Sequence, residues 1–363
     1  MRVLVVNAGS SSLKLRLLDA ADTVSARADL PAGPDGFDTA ELARILHGWD
    51  KPDVVGHRVV HGGTMFTGPV LINDAVRKQL ADLTDLAPLH QPKSLDALDA
   101  VTARLPEVAA VASFDTAFHT TIPPAAATYA VPREWRDRYA IRRYGFHGLS
   151  HAYCSQRAAQ MLGRPLAGLR IITCHLGAGA SLAAVLDGRS VDTTMGFTPL
   201  EGLVMATRSG TVDPGLVLWL EEHEHLSPHE VATALEQRSG LTALAGTGDM
   251  REVEAAADRG DTGARLAIDV YTHRLAAGIA AMSAAAGGVD VLAFTGGVGE
   301  HSATVRRRAA ERLAFLGVAL DIGRNDAVRD DSDITAAGVN VRTVVVTARE
   351  DLQIAREARQ LLG

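Results

Sequence analysis

The chain repeats itself once. Val6-Asn7-Ala8-Gly9-Ser10-Ser11-Ser12-Leu13-Lys14, with Asp19 beyond, is echoed by Cys174-His175-Leu176-Gly177-Ala178-Gly179-Ala180-Ser181, with Asp187 beyond. Asn7 and His175 stand 168 positions apart, and so do Asp19 and Asp187. In each copy an apolar run enters a turn of small residues and a second run leaves it, the pattern of a β-hairpin. Two hairpins at matching offsets predict a duplicated α/β unit with a cleft between the copies; chance likeness among Gly/Ala/Ser turns is the competing explanation. The junction falls near residue 150, and no Pro- or Ser-rich linker marks it.

Elsewhere strand and helix periods alternate, which argues an α/β fold. Asn73 is placed to cap a helix with Val76, Leu80 and Leu83 on one face, stopped by Pro88, and a second helix carries Leu95, Leu98 and Leu105. Val108–Ser113 reads as a strand running into Phe114-Asp115, and Ser227-Pro228-His229-Glu230 as a capping box with proline at the first helical position. Val289–Phe294 is a strand ending at Thr295-Gly296-Gly297, and Val341–Val346 is a last strand leading into a helix from about Arg349. Leu275–Val289 reads as a buried helix, short of the roughly 20 residues that a membrane span needs.

A length of 363 residues fits two domains, and 47% hydrophobic residues suffice for a sizeable core. A net charge of −7 offers no basic field to nucleic acid or an anionic membrane, so a small-molecule substrate is expected. Cys154 and Cys174 are the only cysteines, too few for a disulfide framework, which fits a reducing cytoplasm. Four apolar residues before Asn7 are too few for the core of a secretory signal, so the start is expected to be mature structure.

Three glycine-rich turns suggest the chemistry. Asn7 to Lys14 gathers backbone N–H groups, three hydroxyls and an ammonium, which suits phosphate; an ordinary Ser/Gly turn with a solvated lysine is the plainer alternative. His175 to Gly179 adds a second concavity, and Thr295 to Glu300 a third, between strand and helix. Neither a P-loop nor a Rossmann fingerprint is present. Arg58, at a strand end beside Gly62 and Gly63, and Arg208, beside Gly210, are each an anion clamp or a surface arginine; two amid glycine loops favour an anion site. Asp115 either positions a reactant or metal or caps a helix. Of His147 and His151, one can meet substrate while the other packs. His223, His225 and His229 read as a solvated helix end, and both cysteines as buried small hydrophobes.

On these residues the chain resembles the acetate kinase (acetokinase) family of the sugar-kinase, Hsp70 and actin superfamily. The matching motifs are Asn7 to Lys14, Gly56 to Gly63, Ala87-Pro88-Leu89-His90, Phe114 to His119, Tyr144 to His151, Thr173 to Gly177, Met195 to Gly202 and Phe294 to Glu300, in order across almost the whole chain. The resemblance implies two duplicated RNase H-like (actin-like ATPase) α/β domains, 1–149 and 150–348, around an active-site cleft, with helix 349–363 returning to the first, and usually a homodimer. It also implies reversible phosphoryl transfer from ATP to acetate, giving ADP and acetyl phosphate, with Mg²⁺; Mn²⁺ stays open. By motif, Asn7 and Glu350 resemble the metal-side residues, Arg58 the substrate-binding arginine and Asp115 the catalytic aspartate. His147 and Arg208 resemble the groups stabilising the transferring phosphoryl. Lys14, His175, Leu176, Gly177, Ala178, Gly179, Asp249, Met250, Arg251, Gly297, Val298, Gly299, Glu300 and His301 resemble the nucleotide contacts. Val60, Leu89, Phe146 and Pro199 resemble the apolar pocket for the acetate methyl.

The chain departs from that pattern in three places. Ala178 stands where the family usually has asparagine, Ala348-Arg349-Glu350-Asp351 replaces the usual Asn-Glu-Glu and leaves Glu350 or Asp351 on the metal side, and the stretch from Asp19 to Asp53 is short. Because a carboxylic acid is ionised at pH 7, the attacking oxygen needs charge screening rather than a general base, so Asp115 is expected to orient Arg58 or hydrated metal. Propionate or butyrate as substrate, an ATP-binding structural or chaperone-like role, and phosphate binding without transfer are the alternatives.

Overall fold

The first hairpin forms where the pattern puts it: β1 (Val3–Ala8) runs antiparallel to β2 (Ser12–Leu18), with Asn7 opposite Lys14. The structure is a computed structural model that describes residues 1–9, 12–33, 36–86 and 91–363. Two units are distinguished, one of Met1–Thr120, Phe146–Tyr153 and Arg349–Gly363, the other of Thr121–Gly145 and Cys154–Ala348.

In the first unit, among the described residues, β3 (Val24–Gly33), β4 (Gly36–Phe37), β5 (Val54–Val59), β6 (Val70–Leu71) and β7 (Ala109–Phe114) complete a sheet of order β4-β3-β2-β1-β5-β7-β6. In the second, β8 (Arg170–Leu176) pairs antiparallel with β9 (Ala180–Leu186), the second hairpin. With β10 (Arg189–Thr193), β11 (Val291–Thr295), β12 (Ser332–Asp333) and β13 (Arg342–Val345) its order is β10-β9-β8-β11-β13-β12. From β3 through β6 and from β10 through β12 the order and the strand senses agree. Three antiparallel strands are followed by two parallel ones and a short antiparallel edge. Chance likeness between two turns cannot produce matching order in six strands, so the internal echo marks a duplicated α/β unit.

Burial explains which runs became which strands. The parallel strands are covered on both faces and read as continuous apolar stretches, as in Val291–Thr295, whereas β3 alternates and meets solvent. In the first unit Leu4, Val6, Leu15, Leu42, Val55 and Val101 pack the sheet against helices Thr39–Gly48 and Gln91–Arg104. On the other face lies the terminal helix, Glu350–Leu362: a Cβ at Gly56 of β5 would come within 2.6 Å of Ile354 Cγ2, so only glycine admits the helix this close.

The caps fall as expected. Asn73 Oδ1 accepts from Val76 N–H at the head of helix Asp74–Asp82, which ends before Pro88, itself outside the described residues. Ser227 and Glu230 make the reciprocal capping box on Pro228–Gln237. The expectation for Leu275–Val289 needs correction: the helix runs from Thr262 to Ala285, capped by Asp261, and Gly287 and Gly288, both at positive φ, end it before Val289. Its first half carries charges on an outer face, which the purely apolar criterion passed over. Among the described residues, no helix is long and apolar enough to cross a membrane.

His57, 1% exposed in β5, has no hydrogen-bond partner on either ring nitrogen among the described residues. Burial pushes its pKa down to about 4, with Asp99 pulling the other way. The folded chain therefore refuses a proton that the unfolded chain takes near the ordinary histidine value of 6.5. The resulting stability is present in full above that value and is lost as pH falls toward 4, by about 3 kcal/mol. Denaturant unfolding of His57→Leu between pH 7 and 4 should show a decline smaller by that amount; an unchanged decline would refute the assignment.

Candidate active site

Strand register assembles the first unit's site. Side chains two apart on a strand share a face, so Arg58 of β5 points to the side of Gly56, toward the terminal helix. Arg58 is registered with Ser113 of β7, and Asp115 lies two residues on, its N–H continuing the ladder to Val59 O at 3.1 Å. Arg58 Nε donates to both Asp115 oxygens at 3.0 and 3.1 Å, and Nη2 donates to Oδ2 at 2.5 Å. Nη1 donates to Asn7 Oδ1 at 3.1 Å, from the end of β1. Asn7 Nδ2 in turn donates to Glu350 Oε2 at 2.8 Å, at the start of the terminal helix, with that oxygen 4.0 Å from Arg58 Nε. The Asp115 side chain is 2% exposed and that of Arg58 15%. Burial works against the Arg58 charge, but Asp115 and Glu350 outweigh it and raise its pKa. Burial also pushes Asp115 above the ordinary carboxylate range while Arg58 pulls it back; the forked geometry is that of an ion pair.

Asp115 thus spends both oxygens on Arg58 rather than capping a helix. Glu350 and Asp351 take different partners. Asp351 folds back onto Arg349 at 2.9–3.2 Å, and Glu350 faces Asn7. His147 sits at φ +56°, a left-handed conformation rare outside glycine, and the next residue, Gly148, donates its N–H to Asp115 O at 2.8 Å. A Cβ on Gly148 would overlap that oxygen, so glycine there lets the loop carrying His147 lie on Asp115. Val60 and Phe146 are buried, and Phe146 meets His61 edge-on at 5.5 Å between centroids. Lys14 is exposed on β2 opposite Asn7. Leu89, the rest of its Ala87–His90 motif, Ser10 and Ser11 lie outside the described residues.

In the second unit the glycine turns meet backbone to backbone. Gly177 N–H closes the β8–β9 turn on Gly179 O at 2.9 Å, and Ala206 N–H donates to Ala178 O at 3.0 Å. A Cβ on Gly296 would stand 2.8 Å from Leu176 O, and one on Gly248 would stand 3.1 Å from Ala206 Cβ. These contacts gather His175 to Gly179, the loop of Arg208, Gly248 to Arg251, and Gly296 to His301. The last is a helical turn rather than an open loop. Some of its neighbours are occupied structurally: Asp249 caps helix Met250–Asp258 and pairs with Arg251, Met250 is buried, and Glu300 Oε1 accepts the N–H groups of Gly296 and Ala348, both at 3.0 Å. Ala178, Gly297 and His301 are exposed, while Leu176 and Gly299 are buried and His175, Gly177, Gly179 and Val298 half-buried.

Arg208 Nη1 donates to Pro199 O at 3.0 Å. Burial lowers its pKa, with Glu236 opposing. Two supports escaped the sequence reading. Arg306, 1% exposed, holds the carbonyls of Gly299 and Glu300 at 2.9 and 2.8 Å. Tyr129, Arg143 and Glu201 surround the Pro199 loop. Glu201 lies within the Met195 to Gly202 motif, and the signal available there is a lone acid in an apolar Gly/Pro loop. The histidines at 223, 225 and 229 are exposed, and both cysteines are buried and free.

The sequence profile of the Acetokinase family matches residues 37–356. The acetate kinase of Gloeobacter violaceus is 45% identical over 404 aligned positions covering all of both chains, an alignment longer than this chain, which therefore lacks residues the relative has. Among solved structures, acetate kinase from Porphyromonas gingivalis superposes with a TM-score of 0.91 at 36% identity, covering 100% of both chains. A propionate kinase from Francisella tularensis reaches 0.91 at 35%, covering 99% of each.

Proposed function

This chain belongs to the acetokinase family, and from that premise we propose that it transfers the γ-phosphoryl group of ATP to the carboxylate of acetate, reversibly, giving acetyl phosphate and ADP. The two sheets of like order are its duplicated actin-like ATPase domains. The observation that carries the chemistry is the state of Arg58. Asp115 takes Nε and one Nη2 proton and Asn7 takes one on Nη1, which among the described residues leaves one N–H on each of Nη1 and Nη2 for a carboxylate. Both Asp115 oxygens accept from Arg58, which suits an orienting carboxylate better than a proton acceptor. An ionised acid needs none, so Asp115 orients Arg58 while Arg58 and Arg208 screen two negative reactants.

Among the described residues, no group of three or more His, Cys, Asp or Glu could cage a metal. Mg²⁺ suits such a site, since it favours hard oxygen donors, one or two carboxylates, and otherwise water and phosphate. Glu350 and Asn7 would hold it, and it would neutralise charge on the phosphates. Glu350→Gln is therefore expected to raise the Mg²⁺ concentration for half-maximal rate about tenfold or more, with the Asn7 contact kept neutral; an unchanged Mg²⁺ dependence would remove Glu350 from the metal side. A homodimer, a cytoplasmic setting and Mn²⁺ as a substitute complete the reading, supported by family membership.

Val60 and Phe146, both buried, are assigned with Leu89 to the methyl group. Because a propionate kinase is as close in structure as an acetate kinase, propionate is the second reading. One methylene in an apolar pocket is worth about 1–3 kcal/mol. Trapping acyl phosphate with hydroxylamine, using ATP, Mg²⁺ and each acid, should rank kcat/KM acetate first, propionate next and butyrate last. Absence of acid-dependent hydroxamate would end the proposal.

A further inference from the structure

The loop that presents Pro199 is pinned from both sides by groups without a part in the transfer itself. Arg143 Nη1 reaches the carbonyls of Thr193, Thr194 and Met195, each at 3.1 Å, and Nη2 donates to Glu201 Oε1 at 2.8 Å. The Tyr129 hydroxyl donates to Glu201 Oε2 and accepts Phe197 N–H at 3.1 Å. Burial first, and the Glu201 carboxylate second, hold the Tyr129 phenol well above its ordinary range, so it remains a donor. Tyr144 N–H donates to Gly196 O at 3.0 Å, and a Cβ on Gly196 would overlap both the Glu201 carboxylate and the Tyr129 hydroxyl. Inside the loop, Leu200 N–H donates to Thr198 Oγ1 at 3.3 Å. Pro199 lies between these pins, and its carbonyl receives Arg208 Nη1.

A half-buried ion pair of this kind adds little to stability, because desolvation offsets its Coulomb gain. What it does supply is fixed geometry. We propose that Glu201, clamped between Arg143 and Tyr129, is a positioning residue that sets the Met195–Glu201 loop and, through the Pro199 carbonyl, aims the Arg208 guanidinium. The inference rests on the phosphoryl-transfer reading for the role of Arg208. Small misplacement of a group that acts on the transition state costs rate far more than it costs binding of a substrate held elsewhere.

Glu201→Gln preserves the shape and removes the charge, so its amide cannot accept from Arg143 and Tyr129 together. Its kcat with acetate should fall about tenfold to 10²-fold, with the KM for ATP within about twofold of wild type. Tyr129→Phe, which loses the acceptor for Phe197 N–H, should fall less, by about three- to tenfold. In an Arg208→Ala background Glu201→Gln should cost under about twofold, since the group it aims is gone. Hydrogen exchange of peptides spanning 195–201 should quicken in Glu201→Gln by about tenfold or more. A folded Glu201→Gln with wild-type kcat, with or without faster exchange, overturns the proposal, and so does its full cost reappearing in the Arg208→Ala background. Wild-type turnover reports separately on the proposed function; were it absent, unaltered loop exchange in Glu201→Gln would still overturn the clamp.

Discussion

Arg208→Ala is expected to lower kcat by about 10²–10³, the size of loss that follows removal of one donor from a developing charge in other enzymes. Arg208 is placed at a desolvation cost: burial works against its charge, and its Nη1 is aimed by a neutral carbonyl, Pro199 O at 3.0 Å. Because alanine removes a charge that disfavoured burial, the melting temperature should change little. Arg208→Lys should recover only part of the rate, since a point charge lacks the guanidinium's planar fork. Purified, folded Arg208→Ala with the kcat of wild type would show that this arginine does not meet the phosphoryl group.

Arg58→Ala should show two losses at once. The carboxylate loses its clamp, so the KM for acetate rises and rate falls with it. Stability drops as well, because Asp115, with its side chain 2% exposed, is left as a buried carboxylate without its ion-pair partner. Breaking a buried pair from one side costs about 3–5 kcal/mol. Arg58→Ala combined with Asp115→Asn separates the two effects, since the stranded charge is gone: stability should return in large part and activity should not. Recovery of acetate turnover in that double variant would contradict the role given to Arg58, and a melting temperature unmoved in the single variant would contradict the ion pair.

Much of the local structure around the candidate site was legible because its residues sit in short motifs whose geometry follows from composition. Asn7 ends an apolar strand before a glycine turn, His175 does the same in the second copy, and Gly296 follows an apolar strand directly. Other assignments depended on partners far away in the chain. Asp115 could have capped a helix as far as its neighbours told; its engagement by Arg58, 57 residues earlier, follows from the pairing of β5 with β7. Glu350 and Asp351 are adjacent acids, distinguishable only once helix phase turns one to Asn7 and the other to Arg349. Glu300 stands in a motif that suggests nucleotide contact, yet one of its carboxylate oxygens ties Gly296 to Ala348. Glu201 was visible as a residue and silent as to role, because Tyr129 and Arg143 reach it from 72 and 58 residues away.

From sequence alone come the duplication, the hairpins and the helix caps. Each of these rests on interactions within a few residues, where backbone stereochemistry and the period of apolar burial leave few choices. Tertiary structure alone decided which carboxylate each arginine takes, which acid faces Asn7, and how the Pro199 loop is braced. Those outcomes depend on strand register and helix phase, and a shift of one residue in either would send every one of these side chains to another face.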